Sequence, residues 1–435
     1  MKKMFITTAL LFSVAALSSC TFVYKYVVPN YPANNGGNTE GGGGEETGVD
    51  DAGTYNIKVW CDDRIYDLTS TQIGNFVTQS NGKYTINLTI DRQDEGSAAS
   101  RMTEDVSNGA DIYVFAQDQL SKLKTAGALA SIGGDIEKAV RAETEQVGID
   151  AASINNKLYA FPFTSDNGYF MYYDKRVIPE ADVGDIEKIV ADCKAANKSI
   201  AYSIFGNGFY SASYFMATGC ESLWDINAAN KFTGYHDTYN TENGVTACKA
   251  IKFLKANNIF TNSDDPSKLG REKGGLGACI SGIWNYKYAV DAIGENLGCA
   301  PMPCFSVDGK KYHISSFSGY KLIGVKPQTD AKKVSVCKRI ARYLSSQLCQ
   351  TERFNIANWG PTNTTCLELP QVKAHPGLAA LRAQAPYSKP QVQCPSSWFS
   401  SVSSLANAIM ADSSEGEIKA ALASYEANLE TFLDD

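Results

Sequence analysis

Segments with strand and helix patterns alternate between residues 56 and 115, and this alternation restricts the fold more than any other feature of the chain. Strand patterns at 57–60, 84–90 and 110–115 are separated by apolar residues at helical spacing, at 68–80 and around 102–106. A strand-helix-strand-helix-strand order favours a mainly parallel sheet with helices on its faces. The pattern therefore predicts an α/β fold.

The same alternation returns further along the chain, after a turn-prone stretch at 164–167. Strands are predicted at 157–161, 168–173, 199–204 and 322–325, and helices at 186–193, 245–254, 334–344, 397–410 and 416–433. Asp308-Gly309 predicts a hairpin turn. Because 435 residues are too many for one compact core, we expect two lobes, the second beginning near Asp166.

The N-terminus carries a short apolar segment that ends at a cysteine. Lys2 and Lys3 precede an apolar run at 4–17, which is too short to span a bilayer, since that needs ~20 helical residues. The run fits a secretory signal, and the four residues at 17–20 (LSSC) resemble the bacterial lipobox. We therefore predict a lipoprotein signal peptide at 1–19 and lipidation of Cys20.

A segment rich in Gly, Asn and Glu follows Cys20 and extends to about Gly53. It offers few apolar side chains to bury, apart from those at 22–28, so it is expected to be flexible. Residues 20–53 are therefore predicted to be a linker that holds a globular body near a membrane.

The net charge bears on the partners of this chain, and its cysteines bear on disulfides and metal binding. A formal net charge of −7 argues against nucleic acid. Eleven cysteines remain after Cys20, without a C-x-x-C pair, and several occupy apolar positions of predicted helices or strands. A free cysteine in such a position acts as a small hydrophobe. We therefore expect buried thiols in preference to a disulfide framework, and no metal.

The sequence lacks motifs that are typical of nucleophilic catalysis, zinc binding and nucleotide binding. Its three histidines are far apart, and it has no H-E-x-x-H, G-x-S-x-G, G-x-x-x-x-G-K-[ST] or G-x-G-x-x-G. Among many carboxylates, Asp62 and Asp63 follow the first predicted strand, where a loop reaches towards a ligand or forms a solvated turn. No catalytic residue and no cofactor are predicted.

Aromatic residues give a more specific indication. Three sets follow Gly-, Ser- or Asn-containing turns: Trp284, the pair Phe209 and Tyr210, and the pair Trp398 and Phe399. The apolar face of a sugar ring stacks on such aromatic rings while neighbouring polar groups bond its hydroxyls. Core packing is the alternative for each of them, and the setting that all three share favours a sugar-binding site.

Three blocks of sequence, in the same order, resemble a known family. They are 109–118 (GADIYVFAQD), 156–162 (NKLYAFP) continuing to 172–175 (YYDK), and 273–284 (KGGLGACISGIW). In these blocks the chain is similar to family-1 extracellular solute-binding proteins of ABC importers, in particular to the maltose-binding members. The resemblance covers about residues 56–410.

The resemblance implies a type II periplasmic-binding-protein-like fold, in which two hinge-connected lobes enclose a ligand cleft. It places the first lobe at 54–164 and 316–362 and the second at 165–315 and 363–435. The segments that cross between the lobes would lie near 163–166, 316–320 and 359–366.

The resemblance also implies which residues contact the ligand. The positions that it assigns are Asp62, Asp63, Arg64, Phe115, Asp118, Asp166, Phe209, Tyr210, Trp284 and Phe399. Trp398 joins them as the aromatic neighbour of Phe399. Gln119, Asn207 and Ser403 stand where the maltose-binding members carry charged residues, so a carbohydrate or related polyol is expected rather than maltose itself.

The function implied is that of a substrate-binding lipoprotein, which is not an enzyme. It would capture a sugar or oligosaccharide and deliver it to the permease subunits of an ABC importer, at the outer face of the cytoplasmic membrane or in the periplasm. Two alternatives stay open at this point: a surface glycan-degrading enzyme, and an adhesin or peptide-binding lipoprotein.

Overall fold

A computed structural model describes residues 50–227 and 231–434. Its strands are β1 (Gly53–Cys61), β2 (Tyr84–Arg92), β3 (Ile112–Ala116), β4 (Ser153–Ile154), β5 (Lys157–Leu158), β6 (Ala160–Thr164), β7 (Phe170–Asp174), β8 (Ser199–Ala201), β9 (Ser222–Ile226), β10 (Phe232–Asp237), β11 (Phe260–Thr261), β12 (Leu276–Ser281), β13 (Leu297–Ala300), β14 (Cys304–Val307), β15 (Lys310–His313), β16 (Ser316–Ser318), β17 (Lys321–Val325) and β18 (Ser388–Pro390).

The α-helices in the described residues are α1 (Tyr66–Thr78), α2 (Glu95–Glu104), α3 (Leu120–Thr125), α4 (Gly134–Glu143), α5 (Gln146–Ala151), α6 (Ile186–Ala195), α7 (Gly208–Thr218), α8 (Glu242–Asn257), α9 (Tyr286–Ile293), α10 (Ala331–Leu344), α11 (Gln347–Ala357), α12 (Thr364–Leu367), α13 (Pro370–Lys373), α14 (Pro376–Gln384), α15 (Ser396–Ala408) and α16 (Glu415–Glu426).

The first large sheet has the order β2-β1-β3-β17-β6. Strands β2, β1 and β3 run parallel, as the alternation of strands and helices predicts, whereas β17 is antiparallel to both of its neighbours. All five residues of β3 are buried, which is typical of a central strand with structure packed on both faces. Side chains of this sheet and of α1, α2 and α10 form one hydrophobic core.

The second large sheet has the order β11-β8-β12-β7-β13. Strand β7 is antiparallel to both β12 and β13, while β8 pairs in parallel with β11 and β12. Two further hydrophobic cores contain residues of this sheet, one of them shared with α6, α7, α8, α15 and α16. Two separate sheets with separate cores agree with the α/β, two-lobed architecture.

Several segments lie side by side between the two sheets. The amide of Ser165 donates to the Gly360 carbonyl over 3.1 Å, and the amide of Asn167 donates to the Gly319 carbonyl over 3.1 Å. These residues fall in or next to the three stretches where crossings are expected. A further segment joins them, because β18 pairs in parallel with β16. The exact lobe boundaries stay a prediction.

The structure confirms the buried thiols. The eleven cysteines of the described residues are all free; nine are buried, and Cys299 and Cys304 are partly buried. The hairpin at Asp308-Gly309 is confirmed as well: it joins β14 to β15, and both residues have positive φ angles, 51° and 78°.

The N-terminal predictions fall mostly outside the described residues. The signal peptide at 1–19, Cys20 and the linker as far as residue 49 lie there. The linker end, predicted at about Gly53, falls where β1 begins, and Asp51 just before it is fully buried. Among residues 50–227 and 231–434, the helices are too short or too polar to cross a bilayer.

Candidate ligand-binding cleft

A cleft of about 450 Å³ lies between the two sheets and is lined from both sides. The first-lobe side supplies Arg64, residues 94–97 at the start of α2, residues 116, 118 and 119, and Lys321. The second-lobe side supplies Asn207, Phe209, Tyr210, Asp264, Trp284 and Phe399. Its volume is in the range of small-molecule sites.

The loop after β1 positions Arg64 across the mouth of the cleft. Asp62 accepts hydrogen bonds from the Arg64 amide, 2.8 Å, and from its Nε, 2.6 Å. Burial by itself raises the pKa of Asp62, but the Arg64 guanidinium outweighs it and the pKa is lowered. Arg64 Nη1 also lies 3.3 Å from the Trp284 carbonyl oxygen. Arg64 therefore connects the first lobe to the second.

Lys321, the first residue of β17, lies at the floor of the cleft and is almost fully buried. Its Nζ is 3.5 Å from Glu95 Oε1, and it lies 4.1 Å and 5.1 Å from the ring centroids of Trp359 and Trp284. An ammonium close to two indole rings gains cation–π attraction. Burial raises the pKa of Glu95, and Lys321 opposes that rise.

Asp118 lies in a 3-10 turn, at 117–119, that directly follows β3. Its Oδ1 accepts a hydrogen bond from Gln391 Nε2 over 2.7 Å, and its Oδ2 accepts one from Gln119 Nε2. Burial raises the pKa of Asp118 to about 6, although both amide donors act in the opposite direction. A carboxylate oxygen accepts more than one hydrogen bond, so this group retains acceptor capacity towards the cleft.

Two glycines bring the aromatic residues of the second-lobe side into place. A Cβ at Gly208 would collide with the carbonyl of Phe399, so α7 and α15 approach closely at this point because the residue is glycine. A Cβ at Gly282 would overlap the ring of Trp284 in the same way. Tyr210 is fixed by the hydrogen bond that its hydroxyl donates to Asp264 Oδ2, 2.9 Å.

The cleft contains six of the eleven residues that the sequence analysis assigned to the ligand. They are Arg64, Asp118, Phe209, Tyr210, Trp284 and Phe399. Asp62 does not line the cleft and acts through Arg64. Asn207 and Gln119, which the resemblance aligns with charged residues of the maltose-binding members, also line the cleft.

Four more of the residues that were assigned to the ligand do not line the cleft. Asp63 is exposed and pairs with Arg92. Phe115 is fully buried, with its ring 5.6 Å from Tyr113 in the first core, because β3 is covered on both faces.

The other two are held by internal partners. Trp398 is buried in the second core, where its indole Nε1 donates to the Tyr425 hydroxyl over 2.9 Å. Asp166 is buried among the crossing segments, and its Oδ2 accepts a hydrogen bond from the Gly360 amide. Burial raises the pKa of Asp166.

Several residues that line the cleft escaped the sequence analysis, namely Asp94, Glu95, Gly96, Ser97, Asn167, Asp264, Lys321 and Gln391. The start of α2 did carry a sequence signal, since Asp is a preferred residue at a helix N-terminus. In the structure Asp94 caps α2 by accepting a hydrogen bond from the Ser97 amide over 3.0 Å. Nothing in the local sequence distinguishes Lys321 or Gln391 from ordinary surface residues.

Relatives of known sequence and structure agree with this architecture. A maltotriose-binding protein of Pyrococcus abyssi (strain GE5 / Orsay) is 22% identical over 254 residues, which is 55% of this chain. The aligned region spans about half, 51%, of the length of that relative.

Solved structures cover more of the chain. A structure with acarbose has a TM-score of 0.75 at 24% identity, covering 88% of this chain and 100% of its own. The maltose/maltodextrin-binding domain MalE of Bdellovibrio bacteriovorus, bound to maltotriose, has a TM-score of 0.72 at 16% identity, covering 88% and 100%. At such identities the likeness shows the two-lobed fold.

A family model described as bacterial extracellular solute-binding protein matches residues 75–380, well over half of the chain. These residues include both large sheets except β1, and most of the cleft. The chain therefore belongs to the family of bacterial extracellular solute-binding proteins.

Proposed function

We propose that this chain is the substrate-binding component of an ABC importer and that it captures a sugar or oligosaccharide in the cleft. The observation that carries the proposal is the composition of the cleft, where the rings of Phe209, Tyr210, Trp284 and Phe399 share one space with Asp118 and other polar groups. Aromatic rings stack on the apolar face of a sugar, and carboxylates and amides bond its hydroxyls.

The relatives support this ligand class. The Pyrococcus protein is named for maltotriose, and the Bdellovibrio domain was solved bound to that sugar. Maltotriose is therefore the first ligand to test on this chain. The replacement of charged residues by Gln119 and Asn207 supports a different preference from that of the maltose-binding members.

Ligand binding is proposed to draw the lobes together. Contacts to the ligand come from both sides of the cleft and can be made at the same time only when the lobes close. The adjacent segments near 165, 319 and 360 provide the hinge. Small-angle scattering should therefore show a more compact particle at saturating sugar than without it, and an unchanged profile would contradict the hinge.

We propose that the cleft does not catalyse a reaction. The relatives are binding proteins, and the lining carboxylates already have partners in this chain. Asp118 accepts from two amides, Asp264 from Tyr210, and Glu95 pairs with Lys321. A glycosidase needs one carboxyl as a proton donor and another as a nucleophile or base. Release of shorter sugars during prolonged incubation would favour the glycan-degrading enzyme instead.

The membrane partner and the anchor are part of the same proposal. A lipid on Cys20, joined through the linker, would keep the protein beside the permease at the outer face of the cytoplasmic membrane or in the periplasm. Cys20→Ala should move the protein from the membrane fraction to the soluble fraction and leave sugar affinity unchanged. Retention of a correctly processed variant in the membrane would contradict the anchor.

Calorimetry and thermal unfolding with maltotriose and a panel of mono- and oligosaccharides test the central claim. A ligand at 100 times its Kd should stabilise the folded protein by about 2.7 kcal/mol. Trp284→Ala should weaken binding by ~1–3 kcal/mol. Tyr387→Ala removes an exposed ring outside the cleft and is the matched control. Absence of binding across the panel, or equal losses in the two variants, would refute the proposed site.

A further inference from the structure

A short segment at 390–393 leads from β18 into the second core. It is followed by Cys394, which is buried in that core, and by α15, which carries Phe399. The amide of Gln391 donates to the Ser318 carbonyl over 2.9 Å. The segment thus runs beside the crossing strand β16 and is continuous with the second lobe through Cys394 and α15.

Side-chain amides attach the same segment to the first lobe. Gln117 Nε2 donates to the Gln391 carbonyl, and Gln393 Nε2 donates to the Gln117 carbonyl, each over 2.6 Å. Gln393 Oε1 accepts from the Ser121 amide over 2.8 Å, and Gln117 Oε1 accepts from the Tyr320 amide over 2.7 Å. The 390–393 segment is therefore bonded both to the hinge and to the turn that carries Asp118.

The side chain of Gln391 completes this connection at the cleft. It is 4% exposed and lines the cleft. Its Oε1 accepts from Asn167 Nδ2 over 2.6 Å, and its Nε2 donates to Asp118 Oδ1 over 2.7 Å. Because Asn167 belongs to a crossing segment, one amide links the hinge to a carboxylate of the proposed ligand site.

We propose that Gln391 is a positioning residue, which orients the Asp118 carboxylate towards the ligand and ties that orientation to the hinge. This inference rests on the proposed function, since it assigns a role within the same cleft. A donated hydrogen bond fixes one oxygen of Asp118 and favours its ionised form, which accepts hydrogen bonds from sugar hydroxyls.

The surroundings of Asp118 give this role a measurable signature. Burial raises the pKa of Asp118 to about 6, and the amides of Gln119 and Gln391 oppose that rise, together with the charge of Lys122. The thiol of Cys394 also faces Asp118, and the charged groups of Arg64, Glu95 and Lys321 line the same cleft. Removal of the Gln391 donor should therefore raise the Asp118 pKa further, so that more of the carboxyl is protonated at neutral pH.

Gln391→Ala and Gln393→Ala form a matched pair for the test. Both remove an amide that joins the 390–393 segment to the first lobe, but only that of Gln391 reaches Asp118. The Asp118 pKa is measured in the unliganded full chain by carbon-13 NMR of labelled aspartate side chains, with Asp118→Asn for assignment. Maltotriose affinity is then measured by calorimetry from pH 5 to pH 8.

Gln391→Ala should raise the Asp118 pKa and weaken maltotriose binding at pH 7 on the order of 10-fold, as expected for a lost hydrogen bond to a charged group. The loss should shrink as the pH rises, whereas Gln393→Ala should leave the Asp118 pKa unchanged. Gln391→Met keeps the side-chain volume and replaces the Ala variant if circular dichroism shows that the latter is unfolded.

An unchanged Asp118 pKa in the folded Gln391 variants would overturn the proposal, and so would an equal shift in Gln393→Ala. If the wild-type chain binds no sugar, the proposed function fails, while the titration in the unliganded protein still decides whether Gln391 controls Asp118.

Discussion

Replacement of Asp51 by Asn is expected to destabilise the first lobe at neutral pH. Asp51 is fully buried. Its carboxylate lies 2.6 Å from Lys83 Nζ and 2.7 Å from Arg339 Nε, and it accepts hydrogen bonds from the hydroxyls of Tyr84 and Ser335, each 2.8 Å. These contacts join the residue that precedes β1 to β2 and α10, so the start of the folded body depends on one charged group.

The lowered pKa of Asp51 gives the size of the expected loss of folding stability. Burial alone would raise it, but the hydrogen bond from Lys83 and the other partners lower it from 3.8 to about 2. Since one pKa unit corresponds to about 1.36 kcal/mol, the ionised form stabilises the fold by on the order of 2 kcal/mol. A carboxyl with a lowered folded pKa contributes this stability above pH 3.8 and loses it as the pH falls through 2. At pH 2 most of this stability is lost.

Urea unfolding at pH 7 and pH 2, followed by tryptophan fluorescence, measures the effect. Asp51→Asn should lower the free energy of unfolding by about 2–3 kcal/mol at pH 7 and by much less at pH 2. Asp50→Asn is the control, because Asp50 is the exposed neighbour of the same charge. An equal difference between Asp51→Asn and wild type at both pH values would refute the ionic account.

Three further outcomes follow from the structure. Phe399→Ala should weaken sugar binding by ~1–3 kcal/mol in calorimetry and cost less stability than Trp398→Ala, which should lower the unfolding free energy by ~3–5 kcal/mol because its ring is buried in the second core. A larger loss of binding in Trp398→Ala than in Phe399→Ala would contradict this assignment. Arg64→Ala removes the guanidinium that Asp62 holds against the Trp284 carbonyl and should weaken binding on the order of 10-fold. Full affinity would contradict a role for this bridge. A thiol reagent should modify the nine buried cysteines slowly in the native protein and quickly in the urea-unfolded protein; fast native labelling of those nine would contradict their burial.

Elements with contrast between apolar and polar positions could be predicted from the sequence. Strand β2 alternates between buried and partly exposed residues, from Tyr84 and Ile86 onwards, and its limits were close to those predicted. Helix α7 was missed, because nine of its eleven residues are buried and leave no helical periodicity. The β9–β10 hairpin was missed too, since its residues are mostly half-exposed.

For the cleft, the sequence indicated which types of residue line it better than it indicated where each side chain points. Phe209 and Tyr210, successive residues of α7, both line the cleft, whereas of the successive residues Trp398 and Phe399 the first is buried in the second core. The 100° between neighbours on a helix does not by itself tell these two cases apart. Phe115 lies in a strand that is buried throughout, where no alternation reveals which face a side chain occupies. Lys321 and Gln391 reach the cleft through contacts with residues more than 200 positions away, which no local pattern contains.

The eleven free cysteines of the described residues expose a protein of an extracellular family to oxidation for as long as it is unfolded. An unfolded chain with so many thiols has many ways to form wrong disulfides, for example between Cys61 of the first core and Cys248 of the second. Once folded, burial raises the pKa of both thiols to about 12, which removes the reactive thiolate. Oxidation therefore competes with folding wherever this chain folds under oxidising conditions. Once it has folded, the native packing, rather than any crosslink, protects its thiols.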